Sequence, residues 1–208
     1  MDAARLTPFQ RRKRAAILEG AKTAFFRNGF GSATMDDVAA AAGVGKQTIY
    51  RHFGSKEALF LGLVEGMCRA GGRTLDVSPD VPVEEALRQF GWMLAQDLTA
   101  TDSLRLYRAI VAEAERLPQL GTLFYRSGLL LVRDLAAAIL RRRFDAATAA
   151  IRASSFVSLV LGDAYLELSL GAELPDAETR FDRQIEEAIG AALRPKPPSS
   201  GGASGHSR

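Results

Sequence analysis

The stretch from Thr34 to Lys56 constrains the fold more than any other, because it is punctuated at every turn. Thr34 opens a helix in the pattern Thr-x-x-Asp, where the hydroxyl accepts from a free amide and Asp37 bonds back to the cap. That helix runs to about Ala42; Gly43 breaks it and Val44 supplies an apolar plug. A second short helix runs from about Gly45 to His52 before Phe53-Gly54 ends it. Ser55 then caps a longer helix through about Ala70, with Leu59, Phe60, Leu63, Val64 and Met67 as its inner stripe. The spacing therefore predicts two short helices joined by a glycine turn. Val38, Val44 and Ile49 meet between them, Ala39 is small enough for close approach, and Gly43 provides a positive φ. Lys46, Gln47, Thr48, Tyr50, Arg51 and His52 are left exposed on the second helix.

The flanking sequence is helical as well. Residues 1–9 lack periodicity and read as a flexible arm. From Gln10 to Asn28, the residues Ile17, Leu18, Ala21, Ala24 and Phe25 recur at helical spacing. Asn28-Gly29 closes that helix, and Phe30 folds back onto it. After Gly71-Gly72 and a loop holding Pro79 and Pro82, helices are expected over 83–99, 103–117, 118–143, 145–170 and 176–193, with no strand alternation. The tail PKPPSSGGASGHSR is too rich in Pro, Gly and Ser to order itself. The expected fold is all-α, in four parts: an arm over 1–9, a helix-turn-helix domain over 10–54, a larger helical bundle over 55–193 and a disordered tail over 194–208.

Composition narrows the function. At 47% hydrophobic and 25% charged, the chain reads as a soluble globular protein. The densest apolar stretch, Ile151 to Leu170, is interrupted by Asp163 and Glu167, and the basic start Arg11-Arg12-Lys13-Arg14 lacks the apolar core of a secretory signal. A cytoplasmic location and no membrane partner are the expectation. One cysteine, Cys68, and two histidines, His52 and His206, offer no metal cluster, catalytic triad or cofactor, and Cys68 reads as a buried structural thiol. The net charge of +3 hides an asymmetry: residues 1–75 hold 12 Lys+Arg against 6 Asp+Glu, and the remainder 15 against 18. A basic end that also carries a glycine-turned helix pair points to nucleic acid, since the second helix of such a motif lies in the major groove.

On these residues the chain resembles the TetR family of transcriptional regulators. The resemblance is carried by ATMDDVAAAAGVGKQTIYRHFGSKEALF, Ala33 to Phe60, above all Gly43-Val44, Thr48-Ile49-Tyr50, His52-Phe53 and Ser55 to Leu59. It reaches back to about Arg11, and Glu113 to Leu120 is similar to a segment of some members' effector domains. The resemblance implies backbone contacts to DNA from Thr34, Tyr50, His52 and Lys56, and base reading by Lys46, Gln47, Thr48 and Arg51. Gly45 stands where the family carries a serine or threonine cap, a change that costs only a few tenths of a kcal/mol.

The family also implies a homodimer, a two-fold operator in double-stranded DNA and a small-molecule effector, with repression as its usual mode. Helix 145–170 is apolar almost all round, with Ser155, Ser158, Gly162, Tyr165 and Ser169 on one face, so one side is expected in its own domain and another against a partner. Phe181, Ile185 and Ile189 of the last helix are expected beside it. Phe60, Met67, Trp92, Tyr107, Phe124, Tyr125 and Phe156 are the expected effector-pocket residues by resemblance; as plain residues they fit a core equally. Two alternatives stay open: a DNA-binding architectural protein without a ligand, and an all-α enzyme with an incidental helix-turn-helix.

Overall fold

The structure is a computed structural model that describes residues 7–71 and 80–195, the side chains of 69–71 excepted. The expected arm up to residue 6, the loop at Pro79 and the tail from 196 lie outside the described residues. Within them the chain is helical and contains no strand. The helices are α1 (Pro8–Ser32), α2 (Met35–Ala42), α3 (Lys46–Phe53), α4 (Lys56–Gly71), α5 (Val83–Thr99), α6 (Thr101–Glu113), α7 (Pro118–Phe124), α8 (Leu131–Leu140), α9 (Ala146–Leu170) and α10 (Ala177–Leu193).

Local chemistry sets most boundaries. Thr7 caps α1 through a capping box with Gln10, and Pro8 occupies the first turn, so the helix starts two residues before the expected Gln10. Gly29 takes φ 72° and ψ 158°, which breaks the regular helix where Asn28-Gly29 predicted a stop. Phe30 then turns inward, stacks on Phe60 at 4.7 Å and meets Phe25 at 5.4 Å. The single helix expected over 118–143 is α7 and α8 joined by a π-helical segment, Tyr125–Leu130. Asp145 caps α9 by accepting from the Thr148 amide at 3.0 Å.

Two hydrophobic cores form. The first holds Ile17, Ala21 and Phe25 of α1, Val38 of α2, Ile49 of α3, and Leu59, Phe60, Leu63 and Val64 of α4. It also takes in Leu106 and Ile110 of α6, Leu117, and Leu120 of α7. The second joins α5, α8, α9 and α10 around Leu87, Phe90, Leu140, Phe156 and Ile185. By length and composition α9 could cross a membrane, but its buried stripe of Ala149, Ala153, Phe156, Val157 and Val160 is taken up by this core.

Several of the expected contact residues lie inside the chain's own core. Phe181, Ile185 and Ile189 face the chain's own core and are almost fully buried, so α10 offers no apolar stripe to a partner. Tyr165 also points inward, edge-on to Tyr107 at 5.7 Å. Gly162 is glycine for a backbone reason: it adopts φ 43° and ψ −152° inside α9, and a Cβ would lie 2.0 Å from Gln184 Nε2. Phe60 and Phe156 are fully buried core residues.

Candidate nucleic-acid interface

The head owes its geometry to a few small contacts. Gly20 of α1 faces the end of α2 so closely that a Cβ would sit 2.6 Å from Ala42 Cβ. Gly43 ends α2 at φ 64°, in the left-handed conformation the turn was expected to need. Val38 and Ile49, both fully buried, lock α2 against α3, with Val44 packed beside them.

With Ile49 inward, Lys46, Gln47, Tyr50 and Arg51 emerge together on the outer face of α3, at helical spacings of one, four and five. Thr48 and His52 are half-buried at its flanks. Gly45 caps α3 with extended backbone and no side-chain bond, and a Cβ there would meet nothing within 4 Å. Lys46 is not idle: its ammonium pairs with Asp36 at 2.8 Å, which raises its pKa.

The expected backbone-contacting residues are held differently from one another. The Thr34 hydroxyl accepts from the Asp37 amide at 3.1 Å and donates to the Asp37 carboxylate at 2.7 Å. The Thr34 amide, donating to the same carboxylate at 2.8 Å, and then the hydroxyl hold the Asp37 carboxyl below its usual range. Thr34 is thus committed to capping, and the Met35 and Asp36 amides, beyond reach of any intrahelical carbonyl, are what this helix start presents. Lys56 folds its ammonium onto the Gly31 carbonyl at 3.1 Å and over the Phe30 ring at 4.7 Å, tying α4 to the end of α1. An ammonium has three donors, so others remain. His52 keeps Nδ1 buried without a hydrogen-bond partner. Its burial, then the charges of Arg51, Lys13 and Arg14, push its pKa down. Arg14 lies over the Phe53 ring at 5.0 Å, so the basic run of α1 reaches the C-terminal end of α3. The sequence reading used Arg11 to Arg14 only as net charge; nothing in their spacing marked which would reach the motif.

The body encloses an apolar cavity of about 210 Å³ between α4, α5, α6, α8, α9 and the π-helical segment. Of the seven residues expected there, it brings together Met67, Tyr107 and Phe124. Phe60 belongs to the head core and Phe156 to the body core. Trp92 packs against the outside of that core, and Tyr125 is exposed beside Arg133, which donates to its hydroxyl at 3.1 Å. The reason is helical phase: successive helix residues point about 100° apart, so with Met93, Leu94, Asp97 and Leu98 on the cavity side Trp92 points elsewhere, and with Phe124 turned in its neighbour Tyr125 is turned out. Asp97, Cys68, Met93 and Tyr165 line the cavity without having been expected. Arg108 donates to the Ser169 and Leu168 carbonyls at the end of α9 at 2.8 and 2.6 Å. Glu167 pairs with Arg180 at 2.7 Å.

A three-helix head that presents the polar face of a short helix, carried on a helical body, defines a helix-turn-helix DNA-binding regulator. Residues 17–63 match the model of the bacterial regulatory proteins of the tetR family, and residues 85–194 match the C-terminal domain of AefR-like transcriptional repressors. The chain belongs to the TetR family of transcriptional regulators. It is 39% identical over 69 residues to the HTH-type transcriptional regulator YfiR of Bacillus subtilis, covering 33% of this chain and 34% of that one. It is 37% identical over 71 residues to the HTH-type transcriptional repressor SCO4008 of Streptomyces coelicolor, covering 34% of each. These alignments therefore span about a third of either relative. Solved structures match over nearly the full length. A TetR-family regulator from Mesorhizobium loti superposes with TM-score 0.80 at 27% identity, over 90% of this chain and 98% of that one. A flavonoid-responsive regulator, FrrA, superposes with TM-score 0.69 at 32% identity, over 88% and 96%.

Proposed function

We propose that the protein is a ligand-responsive transcriptional repressor that binds a palindromic operator as a homodimer and leaves it when a small molecule fills the body cavity. The observation that carries this reading is that α4 and α6 each belong to both places. Leu59, Phe60, Leu63 and Val64 of α4 and Ile110 of α6 sit in the head core, while Met67, Cys68 and Tyr107 of the same helices line the cavity. A ligand shifts the balance between two arrangements of the head only by its differential affinity for them, and these helices are where that difference would be felt. The flavonoid response named for FrrA supports an effector with aromatic character. As a regulator of DNA, the protein is assigned to the cytoplasm.

The dimer reading rests on α9. Ile151, Leu159, Leu166 and Leu170 are exposed by 70, 41, 53 and 79%, and with Ser155 and Ser158 between them they form one outward stripe. A second copy related by two-fold symmetry buries such a stripe against itself. One recognition helix reads few base pairs, so two half-sites one helical turn or a multiple apart supply the specificity.

Selection of operators from a random duplex library tests the reading. Lys46→Ala and Gln47→Ala are expected to relax the preference at particular base positions, whereas Lys56→Ala weakens all sequences alike. Selected sites without two-fold symmetry, or a wild type that sediments as a monomer, would reject the dimer. For the paired substitution Ile151→Glu, Leu166→Glu, the expected result is a folded monomer.

A further inference from the structure

An acid stands at the edge of the reading face. Asp36 is the second residue of α2, at the helix start whose Met35 and Asp36 amides are open to an anion. It takes no part in the cap, since Thr34 and Asp37 form the capping box between them. Nor does it pack: 71% of its side chain is exposed. An acid in the first turn also suits the helix dipole, and Asp37 already supplies one. Among the described residues the Asp36 carboxylate has one partner, the ammonium of Lys46, which opens α3 and lies 2.8 Å away.

The pair changes what Lys46 can do. A lysine is a point charge on a flexible four-carbon stem, and on a DNA-facing helix a free one finds the nearest phosphate, which every sequence offers. Packing does not hold Lys46 in place: 46% of its side chain is exposed, and Gly45 before it carries no side chain to lean on. The ion pair is what fixes the ammonium. One of its three donors is spent on Asp36 and two remain. Toward phosphates the pair is close to neutral. Toward a base edge with acceptors in reach, such as guanine O6 and N7, the two donors keep their directionality.

We propose that Asp36 is a specificity-determining positioning residue of the DNA site: by pairing with Lys46 it withholds that cation from the phosphate backbone and aims it at a base. This rests on the reading of Lys46 as a base reader and adds the residue that directs it. The test titrates the full-length protein by fluorescence anisotropy onto two labelled duplexes of equal length, the operator selected from the random library and a scrambled sequence, over about 50 to 200 mM salt. The proteins are wild type, Asp36→Asn, Asp36→Glu, Lys46→Ala, and Lys46→Ala combined with Asp36→Asn. Because Asp36 is exposed and outside the cap, the Asn variant is expected to fold.

The expected result is that Asp36→Asn binds the scrambled duplex more tightly than wild type does. Its log affinity falls more steeply with log salt, by about 0.9, one added phosphate contact, so over that range it loses about 3.5-fold more affinity. The operator-to-scrambled ratio narrows by about fivefold or more, the lower bound for one base contact. Asp36→Glu, which still reaches Lys46, restores both slope and ratio. In the Lys46→Ala background, Asp36→Asn leaves the ratio where it was. An unchanged slope or an unchanged ratio in Asp36→Asn would overturn the proposal. So would a ratio that narrows equally without Lys46, because Asp36 would then act by its own charge or through the helix start. A wild-type ratio in Lys46→Ala would overturn the base-reading assignment, and this proposal with it.

Discussion

Adding one methyl group at Gly20 tests how the head is assembled. Gly20 is buried on α1, and a Cβ there would lie 2.6 Å from Ala42 Cβ, 2.7 Å from the Ala42 nitrogen and 2.9 Å from its Cα. Two of these are backbone atoms, so no rotamer change relieves the contact, and α2 must move away. Replacing Gly by Ala inside a helix contributes about 0.8–1.0 kcal/mol, while overpacking a close contact typically costs about 1–3 kcal/mol. With rigid backbone as the obstacle the cost falls in the upper part of that range, so Gly20→Ala is expected to lose about 1–2 kcal/mol net. Gly121→Ala is the control: nothing lies within 4 Å of its Cβ, and the helix gain, up to about 1 kcal/mol, stands alone. Urea unfolding at one protein concentration measures both. Because α2 holds α3 through Val38 and Ile49, the displacement also re-aims the outer face of α3. Each good base contact is worth about 1–3 kcal/mol, so fluorescence anisotropy on a selected operator should show a loss larger than the folded fraction explains. A Gly20→Ala protein as stable as wild type, with unchanged operator affinity, would refute the close approach of the two helices as the determinant of head geometry.

Three further outcomes are expected. The His52 pKa is pushed below its ordinary 6.5 by burial and by Arg51, Lys13 and Arg14. The unfolded chain therefore binds the proton first: the stability this residue contributes is present above pH 6.5 and is lost as pH falls below it. His52→Asn should flatten that part of the stability profile, and a slope identical to wild type would contradict the assignment. Gly162→Ala places a Cβ 2.0 Å from Gln184 Nε2 at a positive φ; backbone strain alone costs about 1–3 kcal/mol. Gln184→Ala should restore the part due to the clash but not the part due to φ, and complete rescue in the double variant would show that φ is not a constraint. Phe60→Ala removes a fully buried ring stacked on Phe30 and edge-on to Phe25 at 5.3 Å. A loss of about 3–5 kcal/mol is expected in urea unfolding, and a loss under 1 kcal/mol would mean the head core does not depend on it.

The head was legible because its signals are local. A capping box at Thr34, a left-handed turn at Gly43 and a buried Ile49 beside the exposed Tyr50 are each decided within a few residues. Where contacts are long-range, the sequence misled. Phe181, Ile185 and Ile189 do form one apolar face, as expected, but a periodic stripe does not say whether its cover is the same chain or another, and here α5 and α9 provide it. The pocket residues divide for a related reason. Aromatic side chains at helical spacing are equally suited to a core and to a cavity wall, so Phe60 and Phe156 became core while Tyr107 and Phe124 became wall. The π-helical segment has no composition signal in Tyr125 to Leu130. Gly162 stands in the sequence as one member of a helix face, whereas its backbone angles explain it.

The packing also bears on the proposed coupling between head and body. The helix that begins at Ser55 leaves the motif and enters the body. The structure adds α6 as a second connection. Asp102 in its first turn pairs with Lys22 of α1 at 3.0 Å. Arg108, farther along, donates to the carbonyls that end α9. Between these anchors Ser103 and Tyr107 face the cavity, and Leu106 borders both cavity and head core. A helix fixed to the head at one point, to α9 at another, and exposed to the cavity between them cannot shift at one site without loading the others. Interiors as densely packed as these transmit strain instead of absorbing it. Coupling between ligand and DNA is a reciprocal free energy, so breaking either anchor should change how strongly each affects the other more than it changes either affinity alone. That distinguishes α6 as a connecting element from α3, where a substitution acts on DNA affinity directly.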